Sequence, residues 1–313
     1  MFWLLLIAIF LVLLIVVFSS VPWAERKCLF YPSKKNHWKP DIPYHDVYID
    51  IKDPKNVYHR PKGDNYIHGW HFDNFPGNKT VLYCHGNSGN ISHRSYIANI
   101  CQKFELNLFL FDYRGFGKSS GTPSKYRLRK DGEAAYKYIT DYCGIKYKDI
   151  IIWGESLGGN VAIWTASKFK CRSLILLCTF SGLDDAIKYT FDGGVSKSLA
   201  HGFATMASMR YDIMPNRKYI RRVRCPVVIM HSKTDDIIPY DCAKILYKNI
   251  RHKSKELITI KGKHSSPDIS REQFRKIFQF CDIDMSLYEN KHNIDEILKD
   301  IRTVAKRYHN FID

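Results

Sequence analysis

Six short apolar runs decide the fold class of this chain. They occupy residues 80–84, 106–111, 149–153, 173–178, 226–230 and 256–260. All are rich in Val, Ile, Leu or Phe and none alternates with polar residues. A strand wet on one face shows a two-residue alternation, and a strand covered on both faces does not. Helical patterns fill the gaps, at 92–104, 125–142, 157–168, 240–249 and 270–280. This rhythm predicts right-handed crossovers and an open α/β fold, with a mostly parallel central sheet flanked by helices. Segments 44–51 and 66–72 alternate more, which predicts an antiparallel entry to the sheet. The rhythm breaks between 180 and 224, where helix-like pieces appear without a strand. That stretch is expected to be a small helical cap inserted over the active edge.

The two ends differ from this middle. Residues 2–18, "FWLLLIAIFLVLLIVVF", contain no polar side chain. The run is at the short end of what spans a bilayer. No basic region precedes it, and "SSVPWAERK" after it is a poor cleavage site. An uncleaved single-pass anchor over 1–20 is expected, with membrane lipid as its partner. Arg26, Lys27, Lys34 and Lys35 follow, and basic flanks tend to stay cytosolic, so the catalytic domain is expected on that side. Sequons at Asn78 and Asn90 would suit the opposite side. Near the C-terminus, Ile294, Ile297, Leu298, Ile301 and Val304 share one helical face, which predicts a helical extension over 284–313.

Composition narrows the function. The net charge of +17 invites a nucleic-acid partner. The lysines, however, are spread along the chain, and the aromatics sit in apolar runs rather than among arginines. No nucleic acid is expected, and attraction to anionic lipid accounts for the charge equally well. The nine cysteines form no C-x-x-C pair, which leaves zinc and thioredoxin-like readings unsupported and fits a reducing compartment.

Ligands of open α/β sheets bind beyond the C-terminal ends of the strands. The residues there carry the chemistry. After the first run comes "HGNSGN", His85 to Asn90, a glycine-rich turn able to aim amide N–H groups at developing negative charge. It lacks the spacing of a dinucleotide loop. After the second comes "DYRGFGKSSGTPS", whose Gly117-Lys118-Ser119 has Asp112 where a phosphate loop needs glycine. Asp112 and Arg114 read there as loop-fixing residues. After the third comes "GESLGG". A strand turning sharply into a helix strains one residue and needs small neighbours, which Gly154 and Gly158 supply around Ser156. The helix that follows points its positive end at the site. The amides of Leu157 and Asn87 are candidate oxyanion donors.

A serine hydroxyl needs a base to become a nucleophile. Of thirteen histidines, His264 follows the last strand run. "HSKTDDIIP", after the fifth run, offers Asp235 or its neighbour Asp236 to orient the imidazole. Serine, then aspartate, then histidine is the chain order used on sheets of this kind.

From about Cys28 to Ile283 the chain resembles the serine hydrolases of the alpha/beta hydrolase superfamily. "HGNSGN", "DYRGFGKSSGTPS", "GESLGG", "TFSGL", "HSKTDDIIP" and "GKH" stand in the family's order. With the apolar N-terminus, it is similar to the alpha/beta hydrolase domain-containing protein 13 kind and to related protein depalmitoylases. The resemblance implies a hydrolase domain over 28–283 with a cap at 180–224, and Ser156, Asp235 and His264 as nucleophile, acid and base. It implies Asn87 and Leu157 as oxyanion donors and calls for no metal or organic cofactor. Hydrolysis of an ester or thioester, on an acyl-lipid or S-acylated protein, is the expected activity. A small-ester esterase, a serine peptidase, or a catalytically silent binding protein are the alternatives. Ser232 stands where the family usually has glycine, and "GKHSSPD" lacks the acidic or amide residue that often follows the histidine.

Overall fold

The computed structural model of the chain describes residues 29–58, 65–190 and 214–289. The apolar run at 2–18, the middle of the expected cap and the pattern beyond residue 289 lie outside them. Among the described residues no helix is long and apolar enough to cross a membrane.

Among the described residues twelve strands run in chain order: β1 (Tyr31–Pro32), β2 (His45–Asp50), β3 (Val57–Tyr58), β4 (Tyr66–Phe72), β5 (Thr80–Cys84), β6 (Ser88–Gly89), β7 (Asn107–Asp112), β8 (Ile150–Glu155), β9 (Ser173–Leu177), β10 (Val227–Ser232), β11 (Lys255–Lys263) and β12 (Ser266–Asp268). Among the described residues eight α-helices accompany them: α1 (Ser95–Lys103), α2 (Lys125–Lys137), α3 (Gly158–Lys168), α4 (Leu183–Thr190), α5 (Asn216–Tyr219), α6 (Tyr240–Asn249), α7 (Arg271–Phe280) and α8 (Ser286–Glu289).

Ten strands form one sheet in the order β12-β11-β10-β9-β8-β5-β7-β4-β2-β3. From β7 through β5, β8, β9 and β10 to β11 every pairing is parallel. The antiparallel entry expected from 44–51 and 66–72 is present as β2 and β4, with β4 running against β7. The strands from β5 to β10 are buried along almost their whole length, which is why their sequences do not alternate. One core packs α2, α3 and α6 on one face, and a second packs α1 and α7 on the other. Gly132 of α2 lets that helix close on α3, because a Cβ there would lie 2.4 Å from Val161.

Three departures from the sequence reading have physical causes. Run 256–260 is not covered on both faces: β11 is longer, and only Ile258 and Ile260 are buried in it. Its neighbour β12 is three residues long and antiparallel, so the sheet is thinly covered at that edge. Helix 92–104 opens as a separate 3-10 turn at Ile91–His93, capped by the Asn90 side chain, before α1 begins. Helix 125–142 ends in a π-helical segment, Tyr138–Tyr142. The sequon residue Asn90 is fully buried and donates to the carbonyls of Ser33 and Lys35, so its amide is not presented for glycosylation.

The chain runs from β5 out to β7 on one side and returns to β8 on the other. The strand order reverses there, and this reversal opens the crevice where open α/β sheets bind ligands.

Candidate active site

Ser156 joins β8 to α3 with φ of +52°, a backbone conformation that L-residues adopt only when their surroundings impose it. The surroundings here are tight. A Cβ on Gly154 would lie 2.6 Å from the Ala162 Cβ, and one on Gly158 would lie 1.9 Å from the Cys84 carbonyl oxygen. Gly159 is equally constrained, with the Thr179 hydroxyl 2.1 Å from where a Cβ would stand. The turn is pinned by Ser156 N–H donating to the Leu177 carbonyl at 2.9 Å and by Thr179 Oγ1 donating to the Ser156 carbonyl at 2.7 Å.

Three of the expected site residues meet in one chain of hydrogen bonds. His264 Nε2 lies 2.9 Å from Ser156 Oγ. The other ring nitrogen, Nδ1, lies 2.8 Å from Asp235 Oδ2 and 3.1 Å from Oδ1. The Asp235 side chain is wholly buried, whereas His264 keeps about a tenth of its side chain exposed, at 10%. Burial alone would raise the Asp235 carboxyl. The hydrogen bond and charge of His264, with the amides of Ile238 and Ile237, outweigh it and hold the carboxyl below its ordinary value. Those amides donate at 2.8 and 2.9 Å. An ionised, fixed carboxylate favours the tautomer with the proton on Nδ1, leaving Nε2 free to accept from the serine.

Asp236 does a different job. Its carboxylate accepts from the backbone amide of His264 at 3.1 Å and is half exposed. It ties down the loop that carries the imidazole. His231 lies behind Asp235, with Nε2 2.8 Å from the Ile238 carbonyl and 3.4 Å from Oδ2 of Asp235. Burial lowers the pKa of His231.

The glycine-rich turn after β5 lies over the serine: a Cβ on Gly86 would be 3.7 Å from that of Ser156. Among the described residues, neither the Asn87 nor the Leu157 amide donates a hydrogen bond. The Asn87 carbonyl is occupied, accepting from Tyr31 at 2.9 Å, and Gly89 accepts from Ser33 at 2.9 Å. The pairing of β1 with β6 thus straps this turn from outside. His85 supports it from below. Its Nδ1 donates to the Gly86 carbonyl at 2.7 Å, and burial pushes its pKa down to about 3.

"DYRGFGKSSGTPS" is used for scaffolding. Asp112 accepts from the Ile91 amide at 3.0 Å, and Arg114 pairs with buried Asp131 at 2.6 Å. Lys118 reaches Asp46 at 3.2 Å and Ser119 donates to the Asp112 carbonyl at 2.7 Å, so both side chains are committed within the fold.

The sequence reading missed a charged cluster behind Ser156. Glu155 is the residue before Ser156. Its carboxylate accepts from the hydroxyls of Tyr83 and Tyr96, the latter at 2.6 Å, and faces Arg94 at 3.7 Å. Burial would raise the Glu155 carboxyl, but Arg94 and the two hydroxyls hold it below its ordinary value. Arg94 also donates to the Ser88 carbonyl at 3.2 Å, so the pair bridges the serine turn and the glycine-rich turn. Tyr83 stands in the apolar run of β5, where a tyrosine reads as core, so no sequence signal marked the cluster.

One set of His, Cys and Asp groups among the described residues comes within metal-ligating distance: Cys178, Asp235 and His264, at 4.8 Å or less. Two of these atoms already belong to the hydrogen-bond chain through Ser156. Burial also raises the Cys178 thiol well above its ordinary value, which disfavours the thiolate a metal needs.

Residues 79–214 match the family described as the alpha/beta hydrolase fold. Protein bem46 of Schizosaccharomyces pombe is 34% identical over 164 residues, which cover 51% of this chain and 52% of that protein. Alpha/beta hydrolase domain-containing protein 17C of Xenopus tropicalis is 27% identical over 207 residues, 66% of this chain and 62% of that protein. Among solved structures, the Pyrococcus furiosus esterase Pf2001 superposes with a TM-score of 0.56 at 20% identity, covering 88% of this chain and 98% of that one. At that identity the likeness concerns the fold.

Proposed function

This chain belongs to the alpha/beta hydrolase superfamily, and from that premise we propose that it is a serine hydrolase cleaving an ester or thioester through an acyl-enzyme. The observation that carries the reading is the unbroken relay of Ser156, His264 and Asp235, with the serine in a left-handed turn.

In the proposed reaction Ser156 Oγ attacks the carbonyl carbon while His264 Nε2 takes the hydroxyl proton. Asp235 stabilises the imidazolium. Negative charge gathers on the carbonyl oxygen, toward the amides of Asn87 and Leu157. Collapse breaks the ester or thioester bond, and His264 returns its proton to the leaving alcohol or thiol. Water then attacks the acyl-serine, again giving its proton to His264, and the acid departs as Ser156 regains its hydrogen.

An acyl chain is the proposed substrate group, sheltered by the cap segment at 180–224. Residues 2–18 would hold the site beside lipid and S-acylated proteins, with the hydrolase domain over 28–283 on the cytosolic side and 284–313 as a helical extension. A small-ester activity is the second reading, favoured by the fold shared with an esterase.

The test is labelling of the full chain with a fluorophosphonate. Wild type should label, and Ser156→Ala should not. Equal labelling of both would remove Ser156 from the mechanism, and no labelling of wild type would favour a silent binding protein. Turnover of short-chain and long-chain acyl esters, then of a palmitoyl-cysteine peptide, separates the two substrate readings.

A further inference from the structure

The N-terminal ends of the parallel strands hold a feature that the proposed hydrolysis does not use. Three segments converge there. Lys168 ends α3 and Lys170 lies in the loop to β9, and the segment leading into β10 carries Arg221, Arg222 and Arg224. The loop between α6 and β11 carries Arg251. Together they line a cavity of about 970 Å³ that has no carboxylate in its wall. It lies at the opposite end of β8 from Ser156, about one strand length away, or roughly 20 Å.

Among the described residues the four arginines form no ion pair, whereas Arg94, Arg114 and Arg217 elsewhere in the fold each pair with a carboxylate. The two lysines rest on aromatic rings, Lys168 on Trp164 and Lys170 on Tyr147, which leaves their charge uncompensated. His252 also lines the cavity, and neither ring nitrogen has a hydrogen-bond partner. Crowding six cations without a counter-charge raises the local potential and the folding cost. Arginine forks match phosphate oxygens bidentately, and a multiply charged anion relieves several repulsions at once.

We propose that this cavity is a binding site for a ligand carrying several phosphate groups, separate from the hydrolytic centre. Two sources share that chemistry: a polyphosphorylated lipid headgroup and a soluble nucleoside or inositol polyphosphate. Single phosphates engage too few of the arginines to hold against 0.15 M salt.

The experiment titrates inositol hexakisphosphate into the full chain in detergent at 0.15 M NaCl, read by calorimetry. Wild type should bind one equivalent in the micromolar range. The triple variant Arg222→Gln, Arg224→Gln, Arg251→Gln should bind at least about thirtyfold more weakly. Both proteins should label with fluorophosphonate at the same rate, which shows that the variant is folded. If the triple variant fails to label, Arg251→Gln alone takes its place. Displacement by a short-chain phosphatidylinositol bisphosphate or by ATP supports the site and names the source. No heat of binding in wild type at millimolar ligand, or equal affinity in a folded variant, would overturn the proposal.

Discussion

The two ends of the parallel sheet treat charge in opposite ways. At the C-terminal end, buried ionisable groups come with partners. Asp235 lies between His264 and His231, Glu155 faces Arg94, and Asp131 holds Arg114. At the N-terminal end, four arginines around one cavity have no carboxylate among the described residues. Charges taken out of water need partners, because an unpaired one costs several kcal/mol. Exposed charges do not, since water and salt screen them. The end that carries Ser156 therefore keeps its buried charges paired, and the basic end leaves its cations to solvent or a ligand.

The largest test of that contrast removes the charge of Asp235. Asp235→Asn keeps the shape but presents the wrong hydrogen-bonding partner to Nδ1, and kcat should fall about ten-thousand-fold. Asp236→Asn should lose no more than about tenfold, because that residue meets His264 through its backbone amide and pairs otherwise with exposed Lys263. Reversal of this order in steady-state kinetics would hand the orienting role to Asp236.

Next in size is Glu155→Gln. The Gln oxygen can still accept from Tyr83 and Tyr96, but Arg94 is left as a buried cation without a counter-charge. Stability should drop by about 3–5 kcal/mol, measured by urea unfolding. Adding Arg94→Met should recover most of it. If the double variant is no better than the single, the pair is not the source of the loss.

Acid gives a smaller, graded effect, through buried imidazoles beside the serine turn and on β4. His85 is pushed down to about 3, chiefly by burial, and His71, also by burial, to about 4. In the unfolded chain both titrate near 6.5. Between pH 6.5 and 5 the unfolded state takes up protons that the fold refuses, which costs about 2 kcal/mol per imidazole by pH 5. His68 works the other way, since its carboxylate neighbours Asp112 and Asp46 outweigh burial and raise it. Unfolding at pH 7.5, 6 and 5 should show the loss in wild type, and His71→Phe should reduce it. A flat profile would mean that these imidazoles gain protons inside the fold.

Much of this architecture was legible in the sequence, for a local reason. Strands buried on both faces announce themselves as uninterrupted apolar runs, and residues just beyond them must lie at one edge. That is how Ser156, Asp235 and His264 could be named before their distances were known. Glu155, Tyr83, Tyr96 and Arg94 were not legible. A tyrosine in an apolar run reads as core, and nothing in the chain between Tyr96 and Glu155, 59 positions apart, hints that they touch. The basic cavity escaped for the same reason. Its cations come from three separate segments and look like ordinary solvated lysine and arginine until the sheet aligns them.

The strap made by β1 has a practical corollary. Anyone trimming the greasy N-terminus to obtain a well-behaved preparation chooses, with the cut site, whether Tyr31 and Ser33 stay. A cut ahead of Tyr31 keeps the donors to the carbonyls of Asn87 and Gly89. A cut a few residues later removes them, sparing Ser156, Asp235 and His264 while loosening the turn beside the serine. A sluggish preparation of that kind would report on where the scissors fell rather than on what the enzyme can do.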